Sequence, residues 1–199
     1  VGIYGDYVIV GAYKNDDGGS ESGSAYIFVR SGTTWTQQAK LVASDPASSD
    51  RFGYPLSIYD DTVAIASYQD DDAATDSGSA YIFVRSGTTW TQQAKLVASD
   101  PEASASFGLS ISIYGDYVVV GASKDDILGS NSGCAYIFKR SGTTWEQQTK
   151  LIASDGTDND LFGEGIGISG KTIIIGGYGN DDSGSTSGSA YIFEGNYGV

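Results

Sequence analysis

The chain has 199 residues, of which 40% are hydrophobic and 12% aromatic, so its composition predicts a folded protein with a substantial core. Its 25 acidic and 11 basic residues give a net charge of −14, which repels phosphate backbones and anionic lipid and excludes nucleic acid as a partner. No apolar run approaches the roughly 20 residues of a membrane-spanning helix, so we expect no membrane insertion within this segment.

The chain is built on an internal repeat. Residues 22–46 recur letter for letter at 77–101, a spacing of 55 residues. A third, slightly changed copy begins at Ser132 and a fourth at Ser187, so the chain holds about 3.6 repeats, which we divide at 1–50, 51–105, 106–160 and 161–199. A fixed period of this length predicts units that bury their faces against their neighbours.

The first half of each repeat contains two strand-like runs. The first run follows a Phe-Gly pair, and its copies lie at 52–59, 107–114 and 162–169. A tight polar turn separates it from the second run, whose copies lie at 7–10, 62–66, 117–120 and 172–175. The second run is continuously apolar and β-branched, which predicts a strand buried on both faces.

The second half of each repeat contains two further runs. Residues 25–30 place Tyr26 and Phe28 on one face and apolar side chains on the other, so both faces are expected to be buried. Residues 35–42 alternate polar and apolar side chains and include one Lys, as in an exposed edge strand. Gln37 lies on the apolar side and does not fit that alternation. Four antiparallel strands with this inside-to-outside gradient predict an all-β fold, a β-propeller of four-stranded blades.

These motifs resemble those of the FG-GAP repeat, the blade unit of the integrin α-chain head and of many secreted proteins. Phe52-Gly53, Phe107-Gly108 and Phe162-Gly163 match the FG element, and Gly11-Ala12 and Gly121-Ala122 match GA of the GAP element without its Pro. The resemblance implies a propeller fold, and the proteins of this family have several different functions. Integrin-type blades carry a Ca²⁺ loop between the first two strands; here that connection is too short to surround the ion.

Acidic residues are instead concentrated after the second run of every repeat, and the middle position is Asp in all four copies. Clustered hard oxygens on a Gly/Ser loop are typical of Ca²⁺ sites, whereas Asn and Asp also form Asx-turns that cap a strand end. Another repeated acid, at Asp45, Asp100 and Asp155, either approaches the loop of an adjacent blade or caps its own turn. The candidate calcium ligands are Asn15, Asp16, Asp17, Asp70, Asp71, Asp72, Asp125, Asp126, Asn180, Asp181 and Asp182.

The sequence favours a non-enzymatic function. It contains no His, which excludes Ser-His-Asp, Cys-His and His-metal chemistry, and we identify no catalytic or organic-cofactor residues. One hypothesis is an extracellular or cell-surface binding or adhesion module with a protein or glycan ligand. The alternative is a structural repeat protein of a surface coat or extracellular filament, which self-associates through its blade edges.

Overall fold

A computed structural model describes residues 1–195 of the chain. The described part is all-β and contains fifteen strands. Among residues 1–195 there is no helix with the length and apolar character needed to cross a membrane. The strands form four separate antiparallel sheets, one for each repeat.

The first two sheets have four strands each, hydrogen-bonded in chain order. The first comprises β1 (Gly2–Tyr4), β2 (Tyr7–Ala12), β3 (Ser24–Ser31) and β4 (Thr34–Leu41). The second comprises β5 (Leu56–Tyr59), β6 (Thr62–Ser67), β7 (Ser79–Ser86) and β8 (Thr89–Leu96). Each sheet is one blade, and the predicted fourth run of each lies at its outer edge.

The third sheet repeats this arrangement, and the fourth has three strands within the described residues. The third comprises β9 (Ser110–Tyr114), β10 (Tyr117–Ala122), β11 (Cys134–Ser141) and β12 (Thr144–Leu151). The fourth comprises β13 (Phe162–Ser169), β14 (Thr172–Gly177) and β15 (Ser189–Glu194). The innermost strands β1, β5, β9 and β13 contact one another in succession, as in a propeller, although the described blades do not close into a ring.

The antiparallel order gives every blade two ends. The turns β1–β2 and β3–β4, with their copies, form one end, which we call the hairpin rim. The long acidic loops between the second and third strands form the other end together with the links between blades, and we call it the loop rim. The candidate residues predicted from the sequence all lie on the loop rim.

The first run of the repeat is shorter than predicted in two copies. Its strands begin at Leu56 and Ser110, whereas the fourth copy does begin at Phe162. In the second and third blades, pairing with the next strand begins only at Leu56 and Ser110, so Gly53 and Gly108, with φ of +106° and +98°, lie before the strand. In the fourth blade Gly163 has a similar φ of +97°, and the register of β13 is irregular between Phe162 and Gly165.

A β-bulge explains why Gln37 does not fit the alternation. Ile27 lies opposite Ala39 and Phe28 lies opposite Gln37, so Gln38 is an extra residue in β4. A bulge of this kind shifts the side-chain alternation by one residue. The second and third blades have the same bulge at the corresponding positions.

The hydrophobic core lies between blades rather than inside them. Ile9 and Ile27 of the first blade pack in one cluster with Tyr81, Phe83 and Trp90 of the second, and equivalent clusters join the later blades. The prediction that the third strand is buried on both faces is confirmed for β7 and β11 and is wrong for β3 and β15. No preceding blade lies within the described chain, so the face of β3 that carries Tyr26 and Phe28 is only half-buried.

Candidate functional site

The acidic loops hold their own backbone through their side chains. In each copy the first residue of the acidic group accepts a hydrogen bond from an amide two residues later, an Asx-turn. These acceptors are Asn15, Asp70, Asp125 and Asn180, at distances of 3.0, 3.0, 3.1 and 3.3 Å. In the first three copies the next Asp accepts from an amide five residues later, at Asp16, Asp71 and Asp126. The turn-forming alternative is therefore realised in the structure.

In the acidic loops of the second and third blades, which we call the inner loops, one Asp also belongs to a cluster that lies between blades. Asp70 is buried, and its Oδ2 accepts hydrogen bonds from the Tyr81 hydroxyl at 2.8 Å and from Lys95 Nζ at 3.0 Å. Asp45 of the preceding blade reaches the same two groups, with Oδ1 2.9 Å from the Tyr81 hydroxyl and Oδ2 2.9 Å from Lys95 Nζ. Lys95 also contacts Asp72. We call Asp45, Asp70, Tyr81 and Lys95 the junction cluster.

The next junction repeats this cluster. The Tyr136 hydroxyl lies 3.0 Å from Asp100 and 3.3 Å from Asp125, and Lys150 Nζ lies 3.1 and 3.0 Å from the same two carboxylates. The repeated acid after the fourth strand thus approaches the loop of the adjacent blade, one of the two alternatives left open by the sequence. The fourth-strand lysines, expected to face solvent, instead turn toward these carboxylates.

Electrostatics explains why such a cluster tolerates partial burial. Burial alone would raise the pKa of Asp45, but the hydrogen bonds from Lys95 and Tyr81 outweigh it and the pKa is lowered. Burial alone would lower the pKa of Lys95, but its three carboxylate partners raise it. The Tyr81 pKa is raised by burial and by the neighbouring Asp70 charge. The cluster is therefore a charged, hydrogen-bonded connection with a neutral tyrosine at neutral pH.

The first and fourth copies contain only part of the cluster within residues 1–195. In the first, Lys40 contacts Asp17, and Asn15 stands at the position of Asp70. In the fourth, the Tyr191 hydroxyl donates to Asp155 at 2.7 Å, and burial together with that carboxylate raises the Tyr191 pKa to about 12. The complete cluster forms at the two junctions that have both an Asp at the Asp70 position and an acid at the Asp45 position of the preceding blade.

The carboxylates of the loops do not form a ready cation site. Among residues 1–195 no group of three or more acidic or Cys side chains is arranged to hold a metal ion. The first carboxylate of each inner loop binds a Lys and a Tyr, and the second caps the loop backbone. In this arrangement the residues do not fit the six to eight oxygens that Ca²⁺ requires.

A tyrosine patch at the first junction of the loop rim was not anticipated from the sequence. The ring centroid of Tyr54 lies 5.4 Å from that of Tyr13 and 6.0 Å from that of Tyr68. Arg51 donates to the Tyr68 hydroxyl at 2.6 Å and pairs with Glu21 at 3.1 Å. The side chain of Tyr54 is 50% exposed.

The tyrosine patch breaks the symmetry of the repeat. Leu109 and Glu164 stand at the Tyr54 position in the later blades, and the Tyr68 position is Ser123 in the third blade and Tyr178 in the fourth. Tyr13 and Tyr68 occupy one repeat position, which is Tyr178 in the fourth copy, so the departure from the repeat lies in Tyr54 and Arg51, which the later blades lack.

The comparison with protein families agrees with this architecture. The family model described as FG-GAP repeat matches residues 1–28, 35–83, 90–138 and 145–193. The chain belongs to the FG-GAP repeat family. No curated protein matches the chain significantly.

The FG element of this FG-GAP chain connects successive blades. The Phe52 amide donates to the Ser22 carbonyl of the preceding blade at 3.0 Å. The Phe52 side chain is buried, with its ring centroid 5.4 Å from that of Tyr81 and 6.0 Å from that of Phe83. A Cβ on Gly23 would lie 2.0 Å from the Phe52 carbonyl oxygen. The glycine before the third strand is therefore required by the close approach of the next blade.

The glycine of the GA element is required for the same reason, the close approach of the next blade. A Cβ on Gly11 would lie 1.8 Å from the Gly53 carbonyl oxygen, and one on Gly121 would lie 2.1 Å from that of Gly163. At the second junction Ala66 occupies this position, and the nearest approach involves Gly108 instead. The family motif thus marks the residues where one backbone passes against the next.

Proposed function

We propose that this FG-GAP chain is a non-enzymatic binding or adhesion module that acts outside the cell or at its surface. The tyrosine patch is the observation that carries this proposal. Exposed tyrosines next to Arg are enriched at the centres of protein interfaces, because they bury a large area at a small cost in side-chain entropy. Of the two ligand classes considered from the sequence, this patch favours a protein.

Repeat symmetry supports a dedicated surface. Most of each blade is used for packing, and that part is nearly identical between copies. Tyr54 is exposed and lies between Tyr13 and Tyr68, so the patch adds little to the core and remains available to a partner. The membership of an FG-GAP family, typical of extracellular proteins, supports the location.

The proposal is tested by binding of the labelled chain to immobilised extracellular-matrix proteins. Tyr54→Ser should weaken the strongest interaction by about tenfold or more, the effect of losing an interface hot spot. Tyr178→Ser is the matched control, since it removes a tyrosine that is 60% exposed and lies outside the patch. Equal binding by wild type and Tyr54→Ser, or no binding by either, would refute the proposal.

Calcium binding by the acidic loops stays a prediction, and it is separable from the binding function. An ion that binds only the folded chain raises its melting temperature by mass action. A melting temperature that rises in millimolar Ca²⁺ and falls with chelator would support calcium stabilisation. An unchanged melting temperature would leave the Asx-turns and junction clusters as the role of these acids.

A structural role in a coat or filament is the second candidate function. Ile174 and Ile192 are 48% and 66% exposed on one face of the last described blade. In each earlier blade the residues at these two positions are buried against the following blade. Sedimentation velocity would show concentration-dependent association if these faces meet in solution. Ile192→Glu should abolish it, whereas Ile127→Glu, on an exposed loop residue, should not.

A further inference from the structure

A cleft with a volume of about 390 Å³ opens on the hairpin rim between the second and third blades. The β5–β6 turn and two arginines are part of its lining. The lining residues are Tyr59, Asp60, Asp61, Thr62, Val84, Arg85, Gly115, Asp116 and Arg140. Its size lies within the range of small-molecule sites. It lies at the opposite end of the blades from the tyrosine patch.

The cleft exists because a threonine replaces a tyrosine. At the first junction the ring of Tyr7 packs on the next blade, with its centroid 4.4 Å from the Arg85 guanidinium carbon and 6.2 Å from that of Trp90. At the second junction Thr62 stands at the same position of the repeat, and its hydroxyl accepts from Arg140 Nη1 at 3.3 Å. The smaller side chain leaves open the space that a tyrosine ring occupies one junction earlier.

The turn beside the cleft departs from the repeat a second time. Asp60 stands where the other copies have Gly5, Gly115 and Gly170. Its φ is +53°, a left-handed conformation in which a glycine is unstrained and an aspartate is less favourable. The second copy thus keeps an exposed carboxylate at a position where the fold itself favours glycine. Both departures line the same cleft. Elsewhere the first two repeats share a stretch of 25 identical residues, 22–46 and 77–101.

The lining of the cleft offers both donors and acceptors of hydrogen bonds. Arg85 pairs with Oδ1 of Asp61, and Arg140 pairs with Oδ1 of Asp116. A carboxylate has about four acceptor positions and a guanidinium five donors, so each pair retains hydrogen-bonding capacity for a ligand. With Asp60, the cleft carries three carboxylates and two guanidinium groups, a formal charge of −1.

We propose that this cleft binds a neutral saccharide residue. A sugar hydroxyl both donates and accepts, which matches a lining of alternating carboxylates and guanidinium groups. An anionic ligand is disfavoured by the formal charge of −1, and a large apolar ligand is disfavoured because most of the lining side chains are charged or polar. This inference goes beyond the proposed protein-binding surface and does not depend on it, because the two sites use different residues on opposite rims.

Titration of the ¹⁵N-labelled chain with D-glucose, D-galactose, D-mannose and N-acetyl-D-glucosamine tests the inference. At about 50 mM sugar, millimolar dissociation constants are measurable from amide shifts. At least one sugar should shift the amides of Asp61, Thr62 and Gly115. No shift with any of the four sugars, or shifts confined to other regions, would overturn it.

Two variants restore residues that other copies of the repeat already carry. Thr62→Tyr refills the cleft and Asp60→Gly removes its unpaired carboxylate, and each should weaken sugar binding by about tenfold or more. Both are expected to fold, since Tyr7 and Gly5 occupy these positions in the first blade. Circular dichroism and thermal melting check this directly. Unchanged sugar affinity in a folded Thr62→Tyr variant would overturn the assignment.

Transfer of the two departures to the first junction is the converse experiment. The double variant Gly5→Asp/Tyr7→Thr should open a second cleft against Arg85 and raise the stoichiometry from one sugar per chain to two. Ethylammonium chloride is the competing probe, because Asp60 alone would attract a cation. Saturable shifts with ethylammonium and none with the sugars would replace the saccharide by an amine and refute the proposal.

Discussion

Two stretches of this protein have the same sequence and different surroundings. Residues 22–46 and 77–101 are identical, and both form two strands with the same bulge. Yet Trp35 is 41% exposed in the first, whereas the equivalent Trp90 is 8% exposed in the second. The local sequence therefore determines strands and register, and the neighbouring blade determines burial.

The difference shows where the stability of a blade originates. In the second stretch a preceding blade supplies Ile9, Ile27 and Asp45 to the face that carries Tyr81 and Trp90. In the first stretch no such blade is present in the described chain. Because the sequences are identical, paired substitutions measure the contribution of the junction without any change in local propensity. The values below refer to the dilute, monomeric chain.

The largest effect is expected where both stretches meet a following blade. Gly78→Ala would place a Cβ 2.0 Å from the Phe107 carbonyl oxygen, so we expect a loss of about 4 kcal/mol or failure to fold. Gly23→Ala should behave alike, because its Cβ would lie 2.0 Å from the Phe52 carbonyl oxygen.

Gly188→Ala is the control for backbone strain. Its φ is +73°, but the nearest atom to its Cβ would be 3.5 Å away, so a cost of about 1 kcal/mol is expected. Urea denaturation measures all three variants. Equal losses at Gly78 and Gly188 would show that the close approach of the next blade is unimportant.

The tryptophans should separate the two stretches most clearly. Trp90→Ala removes a buried ring and the hydrogen bond from its indole to Gln38, at 2.9 Å, and should cost about 3–5 kcal/mol. Trp35→Ala should cost about 1 kcal/mol or less, since its ring is already partly in water. Similar losses of unfolding free energy for the two variants would contradict this account of the junction.

The lysines should show a smaller difference of the same sign. Lys95→Met leaves Asp70 buried with only neutral partners, and we expect a loss of about 2–3 kcal/mol, below the value for a fully buried pair. Lys40→Met breaks an exposed pair with Asp17 and should change stability by about 0.5 kcal/mol or less. Denaturation at neutral pH compares them, and a larger loss for Lys40→Met would exclude the junction cluster as the cause.

The smallest effect concerns acid pH. The lowered pKa values of Asp45 and Asp100 add stability that is present above their ordinary value of 3.8 and is lost as the pH falls through the lowered values. Both side chains are more than a third exposed, so about 1 kcal/mol or less is expected. Asp50 acts in the opposite direction above 3.8, because burial raises its pKa.

Unfolding measured in urea at about pH 3 and about pH 6 checks this, with Lys95→Met as comparison. The variant should lose the Asp45 part of the acid dependence and keep the Asp100 part. An identical acid dependence in wild type and variant would show that Lys95 does not lower the pKa of Asp45.

Much of the fold was predictable because it depends on local periodicity. The four strand-like runs and the edge position of the fourth run are properties of a single repeat. The late start of β5 was not predicted because its pairing with β6 begins only at Leu56, opposite Ile65, and the Phe-Gly pair gives no signal of this. The bulge at Gln38 left a visible signal, the misplaced Gln37, but only the strand pairing identifies its cause.

The candidate site was predicted less completely. The acidic loops were located, but the junction cluster joins Asp45 to Tyr81 and Lys95, which follow it by 36 and 50 residues. Which side chains meet across a junction depends on how two blades pack, and no pattern within one repeat contains this. The cleft did leave a sequence signal, because Thr62 replaces a tyrosine that two other copies retain.

The bulged glutamine has a consequence for how such a chain can grow. Gln38 accepts from Trp90, and Gln93 accepts from Trp145, each at 2.9 Å, while Gln92 binds back to Ser44. The second blade thus carries both a Trp that donates to the preceding blade and a Gln that accepts from the following blade. A chain with one more or one fewer 55-residue unit would therefore form the same Trp–Gln hydrogen bond at its new junction.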